Sequence, residues 1–135
     1  MVSGDLDAAD ARLDDAEREL AAAAGTPATT GIPATGIPAH QNAGAPSVTW
    51  ADTVELRTLP MTIATYRASL AQARGDVAGT SEHARRVLEL AGPEDHLARS
   101  GGSGFLALAA WADGDVQTAL QTFSQAVRSM HAAGY

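Results

Sequence analysis

The stretch Trp111-Ala-Asp-Gly-Asp-Val-Gln-Thr-Ala-Leu120 (WADGDVQTAL) decides how the chain folds. Residues on both sides of it favour helix, yet Gly114-Asp115 stands between them. A helix readily ends on a residue in the left-handed region, which glycine enters without a Cβ clash. The next helix needs a side-chain oxygen for its free N–H groups, and aspartate supplies one. Gly-Asp therefore predicts the end of one helix and the start of another within a very short turn. The pair recurs before an aliphatic residue at Gly4-Asp5-Leu6 and Gly75-Asp76-Val77. Three copies in 135 residues predict a repeated helical hairpin.

Composition narrows the function classes. Hydrophobic residues make up 45% of the chain, but aromatics only 4%, so alanine dominates and closely approaching helices are expected. No cysteine is present, which excludes disulfides and thiolate sites. All nine basic residues are arginine, so every mechanism that needs a lysine is excluded, the P-loop among them. The net charge of −7 opposes a nucleic-acid backbone. No apolar run approaches the ~18 residues of a membrane span, and no signal peptide is apparent.

Moving outward from the turn, Val116, Ala119, Leu120, Phe123, Ala126, Val127 and Met130 mark a strongly amphipathic last helix. A small-residue helix is predicted before the turn, from near Ser100 to Asp113, preceded by a loop from Pro93 to about Ala98. Val77, Ala84, Val87, Leu88 and Ala91 predict a helix running from Asp76 to Gly92-Pro93. Pro60 divides the preceding region into a short helix near 50–58, with Thr49 and Asp52 as its capping box, and a helix over about 60–74. That second helix presents Ile63, Tyr66, Arg67, Leu70 and Ala71. Leu6, Ala9, Leu13, Ala16 and Leu20 predict a first helix over about 6–24, capped by Asp5, with Asp14, Asp15, Glu17 and Glu19 on a solvated face. Between them, residues 25–48 repeat Thr30-Gly-Ile-Pro-Ala34 as Thr35-Gly-Ile-Pro-Ala39 and read as a low-complexity linker loop, or as a tethered peptide occupying a groove. No strand is predicted.

From Gly75 to Gly114 is 39 residues, near the ~34 of the tetratricopeptide (TPR) repeat. Counted from the glycine, the TPR pattern places small residues five and twelve positions on and a bulky one nine positions on. The last repeat has Ala119, Phe123 and Ala126, and the first has Ala9, Leu13 and Ala16; the middle repeat departs with Thr80, Ala84 and Val87. Ala68 and Ala107, seven residues before their glycines, are expected where paired helices approach. The fold expected is all-α, with TPR-like antiparallel hairpins forming a short right-handed solenoid fragment. Residues 1–24 would be the second helix of an incomplete first repeat, 49–99 a second repeat and 100–135 a third. Because the chain starts at a turn and ends after a second helix, it is expected to be a piece of a longer array.

Residues 59 to about 134 resemble the helical-repeat region of LuxR-family bacterial transcriptional regulators of the MalT type. The resemblance rests on Leu59-Pro60, Tyr66-Arg67-Ala68, Gly75-Asp76, His83-Ala84-Arg85-Arg86, Pro93-Glu94-Asp95-His96-Leu97 and Trp111-Ala112-x-Gly114-Asp115. It implies an N-terminal P-loop ATPase, a helical array for signal sensing and assembly, and a C-terminal helix-turn-helix. The Thr30–Ala39 duplication departs from that pattern.

The search for chemistry leaves little. His40, His83, His96 and His131 fall in no metal-ligand spacing, and no G-x-S-x-G motif occurs. Gly101-Gly-Ser-Gly104 follows no strand and reads as a closely packed helix start rather than an anion site. Glu94-Asp95 reads as an exposed acidic turn, and Arg85-Arg86 as partners of Glu82 and Glu89. No catalytic residue, metal or cofactor is expected. The TPR pattern puts the first helix of each pair on a concave surface, which makes Thr65, Ser69, Gln72, Leu108 and Trp111 the candidate binding residues for a protein or small-molecule inducer. Trp111 is the first of these, either as a partner anchor or packed on a neighbouring helix. The function expected is a non-enzymatic, cytoplasmic sensor and interaction segment of such a regulator, or a TPR scaffold from an unrelated system. It would contact neither nucleic acid nor membrane. Leu6, Leu13 and Leu20 on the first helix are expected to support a weak homodimer.

Overall fold

In a computed structural model that describes residues 3–25 and 50–135, five α-helices follow one another: α1 (Ser3–Gly25), α2 (Trp50–Ala73), α3 (Val77–Leu90), α4 (His96–Ala112) and α5 (Val116–Ala132). The described residues contain no strand. The linker predicted over 25–48 and the Thr49 cap lie, Gly25 apart, outside the described residues.

Two of the three Gly-Asp pairs make the predicted turn. Gly75 and Gly114 have φ of +73° and +81°. At each, the glycine N–H donates to the carbonyl three residues back (Gln72 or Trp111, both 3.0 Å). The aspartate N–H donates to the carbonyl five back (Ala71, 2.8 Å, or Ala110, 2.9 Å). These two bonds satisfy carbonyls that a helix end otherwise leaves bare. The same aspartates then start the next helix: Asp76 accepts from the Gly79 N–H at 2.9 Å and Asp115 from the Thr118 N–H at 3.0 Å. Hydrogen bonding from the Thr118 side chain, and then from its N–H, holds the Asp115 carboxyl below the usual carboxylate range. A third such helix end, at Gly134 (φ +91°), closes α5 with Tyr135 in the aspartate's place.

Gly4-Asp5 does not make this turn. α1 begins at Ser3, so Asp5 lies inside its first turn and is not its cap. Gly4 is not among the glycines of positive φ, and no described helix precedes it to be ended.

The predicted break at Pro60 is also absent: α2 runs through it. Proline removes one helical hydrogen bond at a cost of about 3 kcal/mol. The carbonyl left without that N–H belongs to Leu56, a residue open to solvent. Just beyond, Ile63, Ala64, Ala68 and Ala71 are buried, and this packing keeps the chain helical across the proline.

α4 begins at His96 rather than near Ser100. Asp95 and Gly92 bond reciprocally, with the Gly92 N–H on the Asp95 carboxylate at 2.7 Å and the Asp95 N–H on the Gly92 carbonyl at 3.1 Å. The Glu94-Asp95 turn is therefore a structural knot as well as an acidic surface. Three glycines within α4 weaken its intrinsic propensity. Its position compensates, because α4 packs against α2, α3 and α5. Ser100, Gly102, Ser103, Ala107 and Ala109 are buried there, and the Ser100 hydroxyl donates to the Ala126 carbonyl of α5 at 2.9 Å.

The core is built from small side chains. Ala68 and Ala107 are 0% exposed, as the spacing before the glycines predicts. Thr80, Ala84 and Val87 of α3, the residues that depart from the TPR pattern, are all 2% exposed or less. Threonine is tolerated because its hydroxyl donates to the Asp76 carbonyl one turn back, at 2.7 Å.

α1 lies along α2 and touches no other helix backbone closely. Leu6, Leu13 and Leu20 are half-buried, and no described α1 residue is fully buried. Charge does much of the joining. Arg67 of α2 reaches Asp10, Asp14 and Glu17 at 3.1, 2.6 and 2.8 Å, and Arg74 reaches Asp7 and Asp10 at 2.9 and 2.7 Å. Asp14 and Glu17 are thus partners of α2, not a merely solvated face as expected. Bonds to Glu17 and then Asp14 raise the pKa of the Arg67 guanidinium.

The hydrogen bond from Arg74, ahead of charge attraction to Arg74 and Arg67, holds Asp10 below the usual carboxylate range. A group with a depressed folded pKa stabilises above its unfolded value and loses that contribution as pH falls through the lowered one. Acid should therefore loosen α1 first. Amide NMR shifts across α1 are expected to change as pH falls below about 4, ahead of any loss of helix in α2–α5. Simultaneous loss of all five helices would show that α1 is not a separate cooperative element.

Candidate interaction surface

Each helix pair ends its first member on the same turn, so α2 and α4 present their C-terminal ends side by side. Gln72, Leu108 and Trp111 meet there, lining one pocket of about 150 Å³ together with Val77 and Thr80. Thr65 stands apart, in an open groove of about 550 Å³ bordered by Met61, Glu94, His96 and Leu97. Its hydroxyl is turned back onto the Met61 carbonyl at 2.9 Å. Ser69 is exposed and lines neither. The structure thus brings three of the five candidate residues together and leaves two outside.

Trp111 is 65% exposed, although its backbone is pinned by the bond from Gly114. An indole on a rigid helix end, with its ring in solvent, costs little entropy to bind against. The pocket beside it is smaller than the ~300–1,000 Å³ of small-molecule sites. It suits a single inserted side chain better than an inducer. Trp111→Ala is expected to leave thermal stability within about 0.5 kcal/mol of the parent, as for other surface positions. A thermal melt showing a much larger loss would mean that Trp111 packs within the fold.

A second surface was only partly legible. Val116, Leu120, Phe123, Val127 and Met130 form one exposed or half-exposed stripe along α5. Phe123, Val127 and Met130 join Leu97 and Tyr135 around an open, largely apolar groove of about 680 Å³ between α4 and α5. The α5 periodicity announces its half of that groove. Leu97, in the predicted loop, joins the groove because α4 starts earlier than its glycines suggest. Tyr135 is placed by the Gly134 turn.

Polar clusters offer no alternative centre. Arg86 pairs with Glu89 at 3.2 Å, while Arg85 pairs with no acid among the described residues, contrary to expectation. His96 stands 3.7 Å from Glu94, and His131 Nδ1 is 3.0 Å from the Tyr135 carbonyl. Among the described residues, no three His, Asp or Glu side chains converge as metal ligands, and no helix is long and apolar enough to cross a membrane. No protein-family model matches the chain, and comparisons with curated proteins and with solved structures return no significant match.

Proposed function

We propose that this chain is a non-catalytic, TPR-like sensor and protein-interaction segment of a LuxR-family regulator of the MalT type. In this reading α2–α3 and α4–α5 are successive repeats of a short right-handed solenoid, and α1 is the second helix of an incomplete one. The segment works in the cytoplasm, needs no cofactor and makes no direct contact with nucleic acid or membrane. The observation that carries the reading is the exposed Trp111 above a side-chain-sized pocket with Gln72 and Leu108, between the first helices of two Gly-Asp-jointed pairs. Such an aromatic is the usual anchor of a protein partner.

The reading frame of the whole gene tests the regulator assignment, which requires a P-loop upstream and a helix-turn-helix downstream. A frame that closes without them overturns it. A gel shift tests the rest: at net charge −7 no salt-sensitive, submicromolar DNA binding is expected.

The alternative is a TPR scaffold from an unrelated system. The exposed α5 stripe favours it, because contiguous apolar surface of this kind marks protein contact without implying an inducer.

A further inference from the structure

α1 carries seven acidic residues and two arginines, a net −5 of the chain's −7. Its carboxylates Asp7, Asp10, Asp14 and Glu17 follow at helical spacing and share one face. Beneath them α2 offers Arg67, only 17% exposed at its side chain, and Arg74. Arg86 of α3 continues the cationic surface and, with His83, Pro60, Ile63 and Leu20 of α1, lines a groove of about 370 Å³. The α2–α3 surface is therefore a basic, partly apolar seat in an otherwise acidic protein, complementary to an acidic amphipathic helix.

Two features make its occupant replaceable. No described residue of α1 is fully buried, so the contact has no dry centre, and its carboxylates stay 35–75% exposed, which keeps each ion pair weak. Twenty-four residues separate Gly25 from Trp50, a contour of up to ~80 Å, so the covalent link does not oblige α1 to sit on its own α2. We propose that this seat is a docking site for α1 of a second copy, so that two chains exchange their first helices reciprocally. The inference does not depend on the regulator reading. Within one chain the tethered helix competes at an effective concentration of order 1 mM, which keeps the dilute protein closed and monomeric.

Complementary full-length variants expose the exchange. One carries Asp10→Asn, Asp14→Asn and Glu17→Gln, so its seat is intact but its own helix binds poorly. The other carries Arg67→Glu and Arg74→Glu, so its helix is intact but its seat is spoiled. Each is expected to be monomeric by light scattering, and their equimolar mixture to form a heterodimer with one restored contact. Raising salt from ~0.05 to ~0.5 M should weaken that heterodimer at least about tenfold. A mixture that stays monomeric up to ~1 mM, with both variants fully helical by circular dichroism, overturns the proposal. So does a dimer that forms equally well when one chain carries both sets of changes, since it then uses another surface.

If a variant loses helicity, the otherwise wild-type chain decides. It has no cysteine, so donor and acceptor dyes can be placed by Ala21→Cys in one copy and Glu82→Cys in another. Energy transfer near 1 mM that high salt abolishes is expected, and its absence overturns the exchange.

Discussion

Gly102→Val should lower the stability of the protein by about 3 kcal/mol, the upper part of the range for overpacked cores. Gly102 is buried in α4 where that helix meets α3. A Cβ there would stand 3.0 Å from two carbons of Leu88 and 3.2 Å from the Ala84 carbonyl oxygen. The leucine can shift, but the backbone carbonyl of the fully buried Ala84 cannot. Neighbouring glycines isolate this effect from helix propensity. At Gly101 and Gly104 an added Cβ meets nothing within 4 Å, so Gly101→Ala should stabilise by about 1 kcal/mol through propensity alone. Gly102→Ala, with the same propensity gain and the clash, should fall below Gly101→Ala. Urea melts of the three variants are the measurement. Equal midpoints for Gly101→Ala and Gly102→Ala would show that α3 and α4 are not held at this distance.

The second large effect is at the turn between α4 and α5. Gly114 sits at φ +81° with open space around it, so the cost of a side chain there is conformational and not steric crowding by neighbours. A left-handed conformation costs an ordinary residue roughly 1–2 kcal/mol, and a β-branched one is worse placed still. Gly114→Val should therefore destabilise by about 2 kcal/mol or more, whereas Asp115→Ala, which removes one cap, should cost about 1 kcal/mol. Thermal melts giving the opposite order would reject glycine's role in this turn. Acid separates the two variants further. Because the Asp115 pKa is depressed in the folded chain, its cap is present above the unfolded value and is lost as pH falls through the lowered one. The difference between Asp115→Ala and the parent should accordingly shrink below about pH 4.

Much of the architecture can be read from the sequence because it is written in local chemistry. The turns at Gly75-Asp76 and Gly114-Asp115 need only a residue at ease with positive φ and a short acceptor side chain after it. Ala68, Ala107, Ala119 and Ala126 are legible because small residues at fixed distances from those turns have one use, the approach of two helices. Three of the five candidate binding residues fall together, with Gln72 and Trp111 three residues before their turn glycines and Leu108 six, but Ser69 also stands six before Gly75, so distance from the turn alone does not select them. Thr65 lies further from the turn, where it borders a different groove, and Ser69 lines neither pocket.

What sequence alone determined is therefore the two Gly-Asp turns and the faces that meet near them, which depend on contacts within a few residues. Tertiary structure decided three other matters. It carried α2 through Pro60, because buried Ile63, Ala64 and Ala68 offset a lost hydrogen bond. It started α4 at His96, four residues before the predicted Ser100, where Leu97 joins Phe123 and Val127 of α5 around one groove. It set Asp10, Asp14 and Glu17 against Arg67 and Arg74, fifty or more residues away. Local propensity opposed the first, and no short-range signal marked the other two. In each case the stabilising partner is distant along the chain, and its contribution exists only once the helices have packed.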